Sequence, residues 1–251
     1  MIRVSIIGSG NVAQHLIQVF ALTTGIDVVQ VYARHPEPIK SLIPSVSVVT
    51  SFSELKRVDL CIIAVSDHSI AAVSQQLPFK NQLVVHTSGS VAMDDLDDQN
   101  RKGVFYPLQT LTKSKEVDFK CIPICLEAQS AIDFKLLYSV ASLLSDSIYS
   151  VNSIQRKALH LSAVVVNNFV NHLYHIGATI CSDYELDFAI LKPLIVETAN
   201  KINTLSPQQA QTGPALRGDT ETINTHLAML KEDYQKEIYK ILTKSIIDNG
   251  K

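Results

Sequence analysis

The stretch Val4-Ser5-Ile6-Ile7-Gly8-Ser9-Gly10-Asn11-Val12-Ala13 decides how this chain folds. Its apolar run predicts a strand, its two glycines predict a tight turn, and Asn11 begins a helical pattern. Gly8 permits the sharp turn, Gly10 leaves the backbone open to a phosphate, and Ala13 lets the helix pack closely on the strand. The free N–H groups of the first helical turn attract an anion. We therefore predict a dinucleotide site that uses residues 8–12, the alternative being a purely structural glycine turn.

Short β-branched runs alternate with helical patterns over the first 150 residues. The predicted strands cover residues 4–7, 28–32, 46–49, 59–65, 83–86, 103–106 and 122–126. After residue 151 the strand signals stop, and long helical patterns follow at 154–181, 184–203 and 221–248. Such alternation is typical of parallel βαβ units. The predicted fold class is α/β, with a Rossmann-type, doubly wound, mostly parallel sheet at 1–150 and an all-helical C-terminal domain at 151–251.

Composition and charge exclude several function classes. The 251 residues carry a formal net charge of -2, and the basic residues are scattered, so neither a nucleic-acid footprint nor a polybasic membrane patch is present. There is no signal-peptide pattern and no apolar run of the ~18 residues that span a bilayer, so we expect a cytoplasmic protein. The spacing of the four cysteines does not match a zinc site. We expect buried, reduced cysteines and no metal.

The end of the second predicted strand bears on the choice of cofactor. In NAD sites an acidic residue about 20 residues beyond the glycines holds the ribose 2′-hydroxyl. Residues 31–35 contain no carboxylate, and Arg34 stands there instead. A guanidinium suits a 2′-phosphate. We therefore predict NADP as the cofactor, while the alternative is that Arg34 is an ordinary loop arginine.

The N-terminal half resembles the superfamily that includes pyrroline-5-carboxylate reductase, ketopantoate reductase and the β-hydroxyacid dehydrogenases. The resemblance lies at residues 8–13, at 32–34 and at 64–67, and it implies cofactor contacts from Ala64, Val65 and Ser66. The whole chain resembles a bacterial family described as NADP oxidoreductases, in which a Rossmann-like domain precedes a helical domain of unknown function. Residues 86–90, 106–110, 159–168 and 213–219 carry this closer resemblance.

Three of these segments contain candidate substrate-binding residues. Ser88 and Gly89 follow the predicted strand 83–86, and loops at the carboxyl ends of such strands line the ligand crevice. Ser88 is also a candidate catalytic group, although a plain Ser/Gly turn explains the segment equally well. Gln109 follows the next strand, where a proline-fixed turn is the alternative. Arg217 is suited to clamp an anionic substrate, whereas a turn capped by Asp219 is the structural alternative.

His160 and Asn168 are the candidate catalytic residues of the helical part. At ~100° per residue, positions 160, 164, 167 and 168 share one side of a helix. A histidine there is suited to donate a proton near neutral pH, and the alternative is a histidine satisfied by backbone or by a second subunit. The β-hydroxyacid dehydrogenases use a lysine and an asparagine four residues later. Here Lys157 is followed at that offset by Leu161, so that pair is not reproduced.

We predict an NADP-dependent oxidoreductase that transfers hydride between the nicotinamide and a small polar C=O or C=N substrate at the domain junction. The alternative is a non-catalytic NADP-binding regulatory or scaffold protein, which the missing lysine–asparagine pair favours. The helical pattern at 154–181 is apolar around much of its circumference. We therefore also predict a homodimer, the commonest assembly of soluble oligomers.

Overall fold

The computed structural model describes residues 1–113 and 115–249. Within them, eight strands form one sheet in the order β3-β2-β1-β4-β5-β6-β7-β8. The strands are β1 (Ile2–Ile7), β2 (Ile26–Tyr32), β3 (Ser47–Val49), β4 (Leu60–Ile63), β5 (Leu83–His86), β6 (Arg101–Pro107), β7 (Ile124–Ala128) and β8 (Ile148–Ser150). All neighbouring pairs are parallel except β6 and β7, which pair antiparallel. The sheet is therefore mostly parallel, as predicted.

The helices connect the strands in the first part of the chain and replace them in the second. They are α1 (Asn11–Leu22), α2 (Glu37–Leu42), α3 (Ile70–Ser74), α4 (Ala131–Leu144), α5 (Ser153–Ala163), α6 (Val170–Asp183), α7 (Lys192–Lys201), α8 (Pro207–Ala210), α9 (Pro214–Arg217), α10 (Thr220–Met229) and α11 (Asp233–Asn249). A π-helical segment, Val164–Phe169, joins α5 to α6. The α/β class followed by an all-helical part is confirmed.

The sheet buries apolar side chains on both of its faces, because successive residues of a strand point to opposite sides. In β1, Val4 and Ile6 belong to one buried cluster, which also contains Phe20 of α1. Ile7 belongs to a second cluster on the other face, together with Ile63 of β4. Both faces are therefore covered, which explains why the central strands read as continuous apolar runs.

The chain divides into two compact units, Met1–Val165 and a second unit that begins at Val166. The predicted domain boundary at residue 150 falls where the last strand, β8, ends, and the boundary itself stays a prediction. The helix predicted at 221–248 is wrong as a single element, because the chain leaves the helical conformation between α10 and α11. None of the described helices is long and apolar enough to cross a membrane.

The four cysteines are free thiols. Cys61, Cys125 and Cys181 are buried, as expected, but Cys121 is exposed. It ends a short 3₁₀ turn, Phe119–Cys121, before β7 begins, so it does not share the buried strand of Cys125. The expectation of burial was therefore wrong at this one position.

Candidate functional site

The turn between β1 and α1 is shaped by one close backbone contact. Gly8 has a φ of +135°, and a Cβ built on it would lie 2.1 Å from the carbonyl oxygen of Ala64. Only glycine fits there, because the positive φ and the contact with the chain after β4 both exclude a side chain. A Cβ on Gly10 would meet no described atom within 4 Å. The turn therefore presents uncovered backbone at the start of α1.

A cleft of about 850 Å³ lies where β1, β2, β3, β4 and β5 end. The predicted cofactor-binding residues all line it: Gly8, Ser9, Gly10, Asn11, Val12, Arg34, Ala64, Val65 and Ser66. The cleft is also lined by Tyr32, Ala33, His35, Phe52, His68, Ser69, Ala72, Val73, Gln76 and Thr87. Its size lies within the ~300–1,000 Å³ of ordinary ligand pockets, and crevices at these strand ends are where such sheets bind ligands.

The charge of the cleft fits a phosphate-rich ligand. None of the described lining residues is an aspartate or a glutamate, whereas Arg34, His35 and His68 contribute basic side chains. Arg34 is exposed just beyond the end of β2, where a site for NAD would carry an acid. Gly10 adds an open backbone position on which a Cβ would project into free space. This donor set fits a dinucleotide.

Sequence reasoning missed the aromatic residues of this cleft. The rings of Tyr32 and Phe52 stack with their centroids 4.1 Å apart and an interplanar angle of 15°. Phe52 begins a 3₁₀ turn that the capping box of Ser51 and Glu54 holds in place. The capping box is visible in the sequence, but it predicts only where a helix begins. That the turn faces the cleft depends on the pairing of β3 with β2.

The loop after β5 is built around a buried histidine. Burial, reinforced by the positive charge of Arg156, lowers the pKa of His86 to about 4, so its ring is neutral at pH 7. Its Nδ1 accepts a hydrogen bond of 3.1 Å from the backbone N–H of Ser88. The Ser88 hydroxyl oxygen in turn accepts from the backbone N–H groups of Ser90 and Val91, at 3.1 and 3.0 Å. Ser88, a predicted catalytic and substrate-binding residue, therefore holds the loop together.

His160 lies against this loop, in the last turn of α5. Its Nδ1 is 3.1 Å from the hydroxyl oxygen of Tyr106, which is near the end of β6. A Cβ on Gly89 would lie 2.6 Å from His160 Nδ1 and 2.8 Å from Tyr106 Cζ. The two rings thus occupy the space beside the Cα of Gly89, a candidate substrate-binding residue. Thr87 lines the cleft and lies two residues before Gly89. The chain therefore runs from the cleft directly to the residue that contacts His160.

Arg156, one helical turn before His160, fixes the loop to α5. Its side chain is fully buried, and it donates hydrogen bonds to the carbonyl oxygens of Ser88, at 3.1 Å, and of Val91, at 2.5 Å. It also pairs with the Glu127 carboxylate, which accepts further hydrogen bonds from the backbone and hydroxyl of Ser153 at the start of α5. Sequence reasoning missed Arg156, because its partners Glu127, Ser88 and Val91 lie 29 to 68 positions away along the chain.

The loop after β6 is tied to α1. The Asn11 side-chain amide donates a 2.8 Å hydrogen bond to the carbonyl of Leu111, and His15 Nε2 lies 2.9 Å from the carbonyl oxygen of Thr112. Gln109 is exposed in this loop, and its side-chain oxygen accepts a hydrogen bond from the backbone of Thr110. Gln109 is absent from the described lining of the cleft, so its substrate-binding role stays a prediction.

The two remaining candidates belong to the second unit. Asn168 is exposed within the π-helical segment Val164–Phe169, where the assumed spacing of 100° per residue does not hold. Arg217 is exposed at the end of the four-residue helix α9, between Gly213 and Gly218, which both have positive φ. Asp219 caps α10 by accepting a 3.1 Å hydrogen bond from the Thr222 N–H. The roles of Asn168 and Arg217 stay predictions.

The parallel strand order, the glycine turn and the basic cleft define a nucleotide-binding α/β protein of the Rossmann class. A family model described as NADP oxidoreductase, coenzyme F420-dependent, matches residues 3–89. A second model, described as a domain of unknown function (DUF2520), matches residues 122–246. A Bacteroides fragilis protein described as a putative NADP oxidoreductase is 38% identical, with a TM-score of 0.91 over 99% of this chain and 98% of that one. The chain belongs to this NADP oxidoreductase family.

More distant solved structures share the fold. An imine reductase from Myxococcus stipitatus in complex with NADP⁺ is 16% identical, with a TM-score of 0.64 over 98% of this chain and 92% of that one. The 1-pyrroline-5-carboxylate reductase of Streptococcus pyogenes is 15% identical, with a TM-score of 0.67 over 99% of this chain and 98% of that one. No curated protein matches the chain. The predicted resemblance to the reductase superfamily is confirmed at the level of fold.

Proposed function

We propose that this chain is an NADP-dependent oxidoreductase that interconverts a C=O or C=N bond of a small polar substrate with its reduced form. The observation that carries the proposal is the cleft itself. It combines the open glycine turn with Arg34 and contains no carboxylate among its described lining residues. The imine reductase of the same fold that binds NADP⁺ adds support for the cofactor.

Different residues of the cleft bind different parts of the cofactor. The backbone N–H groups that follow Gly10 bind the pyrophosphate, because the start of α1 offers unpaired donors and a favourable dipole. Arg34 pairs with the 2′-phosphate through charge-assisted hydrogen bonds. Ala64, Val65 and Ser66 line the same cleft where β4 ends. The bound nicotinamide supplies the hydride.

His160 is the proposed proton donor. As the substrate carbon accepts hydride, its oxygen or nitrogen gains an electron pair, and a proton from the His160 ring neutralises it. Ser88 and Gly89 lie in the loop that packs against that ring, and we propose that this loop supports the proton donor; direct contacts of these two residues with a substrate stay predictions. Gln109 and Arg217 stay predicted substrate-binding residues, and Asn168 stays a predicted catalytic residue.

A second candidate function has its own observation in favour. The Ser88 oxygen already accepts two backbone hydrogen bonds, and the lysine–asparagine pair of related dehydrogenases is missing, since Leu161 follows Lys157 at that offset. Both facts are compatible with a protein that binds NADP without turnover. Such a regulatory or scaffold protein would bind NADP through the same cleft but would not oxidise NADPH.

The deciding experiment follows NADPH absorbance with the purified protein and a panel of keto acids, aldehydes and cyclic imines. A deazaflavin acceptor belongs in the panel because the matching model is described as F420-dependent. We expect oxidation with at least one compound, and we expect His160→Ala to lower its rate by roughly 10²-fold or more. NADP binding by calorimetry without turnover on any compound would instead support the regulatory function.

We also propose that the chain forms a homodimer through its helical unit. Most of the exposed large apolar side chains of the described residues lie in this smaller unit, among them Ile190, Leu194 and Ile241, which are each more than 60% exposed. Monomeric proteins rarely leave so much apolar surface in water. Light scattering at micromolar concentration should give twice the mass of 27.7 kDa, and a monomer would refute the proposal. A cytoplasmic location remains our expectation.

A further inference from the structure

We propose that Tyr106 is a positioning residue that binds the Nδ1 atom of His160 in both protonation states of the ring, so that only Nε2 exchanges a proton with a ligand. This inference rests on the proposed role of His160 as proton donor. Tyr106 itself need touch neither substrate nor cofactor, because it acts through the imidazole.

The first step is the contact between the two rings. The Tyr106 hydroxyl oxygen lies 3.1 Å from His160 Nδ1, and the rings meet edge to face at 70°. Burial raises the pKa of Tyr106 to about 12, so the phenol stays protonated at neutral pH. A phenol hydroxyl both donates and accepts. Its oxygen therefore accepts from Nδ1–H in both the neutral and the charged imidazole, so the proton that the ring gains and loses is the one on Nε2.

The second step is that Gly89 covers the edge of the imidazole that carries Nδ1. A Cβ on Gly89 would come within 2.6 Å of Nδ1 and 2.8 Å of Cγ of His160. The Gly89 backbone therefore covers the Nδ1–Cγ edge, while His160 as a whole keeps intermediate exposure. The accessible part of the ring is then the opposite edge, which carries Nε2. Arg156 holds the carbonyls of Ser88 and Val91, on either side of Gly89, against α5.

The third step is that the titratable groups around Tyr106 do not compete with His160 for the Tyr106 hydroxyl. Those that influence Tyr106 are Cys125 on β7, Arg156 on α5 and Asp67 after β4. Burial raises the pKa of Cys125, so its thiol is neutral. Arg156 pairs with Glu127, and the Asp67 carboxylate accepts a 2.5 Å hydrogen bond from the Ser90 hydroxyl. Within the described residues, His160 is the hydrogen-bond partner of Tyr106.

Nitrogen NMR of the histidine side chains in the full-length protein tests this directly. For the neutral ring we expect one tautomer, with the proton on a hydrogen-bonded Nδ1 and an unprotonated Nε2. In Tyr106→Phe, the His160 nitrogen shifts should move toward those of free imidazole, where the two tautomers exchange. Tyr138→Phe, which alters an exposed tyrosine on α4, is the matched control and should leave these shifts unchanged.

Gly89→Ala gives a second, independent variant. Its added methyl group would displace the His160 ring from Tyr106, so we expect the same change in nitrogen shifts with the hydroxyl still present. Thermal melting and NADP binding show whether each variant is folded. Unchanged His160 shifts in folded Tyr106→Phe, or a neutral wild-type ring with the proton on Nε2, would overturn the proposal.

An activity measurement separates this inference from the proposed function. If a substrate is found, Tyr106→Phe should lower kcat about tenfold with little change in KM, because binding groups are untouched while the proton donor is less well placed. An equal kcat in wild type and variant would contradict the positioning role. If no compound is turned over but the nitrogen shifts behave as expected, the proposed function fails and the contact between the two rings stands.

Discussion

Arg156 and Glu127 form an ion pair in which the arginine side chain is fully buried and the carboxylate is only 14% exposed. The guanidinium also donates to two backbone carbonyls of the loop after β5 and to the Ser153 hydroxyl. Burying this charge is favourable only when all of its partners are present, because the loss of one partner leaves another polar group buried and unpaired. The pair thus joins β7, the loop after β5 and α5.

Arg156→Met should lower the free energy of unfolding by about 3–5 kcal/mol, since it leaves the Glu127 carboxylate without its partner. Arg156→Lys should also destabilise, because an ammonium group cannot reproduce the planar fork of donors. Lys157→Met changes the exposed neighbouring residue and should stay within about 0.5 kcal/mol of wild type. Urea unfolding measures all three variants, and equal stability of Arg156→Met and Lys157→Met would contradict the role of the pair.

The two glycines of the first turn should respond differently to the same substitution. Gly8→Ala places a methyl group 2.1 Å from the carbonyl oxygen of Ala64 at a positive φ, so we expect a loss of several kcal/mol of stability or no folded protein. Gly10→Ala meets no described atom and should fold normally. Its methyl group should nevertheless weaken NADP binding by roughly tenfold or more, because the phosphates approach the backbone there. Circular dichroism and calorimetry distinguish the two, and full NADP affinity in Gly10→Ala would contradict the assigned site.

The fold was predictable because its signals are local. The apolar run and glycine turn at β1, the alternating patterns up to β8 and the later loss of strand signals each depend on neighbours in the chain. The breaks within the helical part were harder to see. A π-helical segment at Val164–Phe169 and the gap between α10 and α11 leave the apolar pattern almost unchanged, so a periodicity argument extends a helix through them.

The candidate site was only partly predictable, for a related reason. The glycine turn and Arg34 belong to a motif whose spacing is fixed along the chain, and every cofactor-binding residue predicted from it lines the cleft. Tyr106 contacts His160, which is 54 positions away along the chain. Arg156 contacts Ser88, which is 68 positions away. Such contacts follow from the pairing of β5 with β6 and from where α5 packs, which one sequence does not reveal.

Arg34→Ala should weaken the binding of NADP much more than the binding of NAD. A charge-assisted hydrogen bond contributes about 1.5–3 kcal/mol, so we expect NADP affinity to fall roughly 10–150-fold while NAD affinity changes little, because NAD lacks the 2′-phosphate. Arg57→Ala is the matched control, since Arg57 is exposed and bonds the backbone of Lys80 away from the cleft. Fluorescence titration with both cofactors measures the ratio. An equal loss for NADP and NAD would show that Arg34 contributes only general charge.

His86 should make the stability of the protein depend on pH. Its pKa is about 4 in the folded chain, against an ordinary value of 6.5, so between these values the unfolded chain binds more protons than the folded one. The contribution of neutral His86 is therefore fully present above pH 6.5 and is lost as the pH falls to 4. This difference between the two pKa values corresponds to a loss of roughly 3 kcal/mol in the free energy of unfolding.

Urea unfolding at pH 7.5 and pH 4.5 tests this dependence. His86→Gln removes the titrating ring, so its stability should fall less between the two pH values than that of the wild type does. His35→Gln changes an exposed histidine and should retain the wild-type dependence. An identical pH dependence in wild type and His86→Gln would show that the buried ring does not resist protonation. The loop that carries Ser88 and Gly89 would then owe its conformation to the Arg156 hydrogen bonds rather than to a neutral His86.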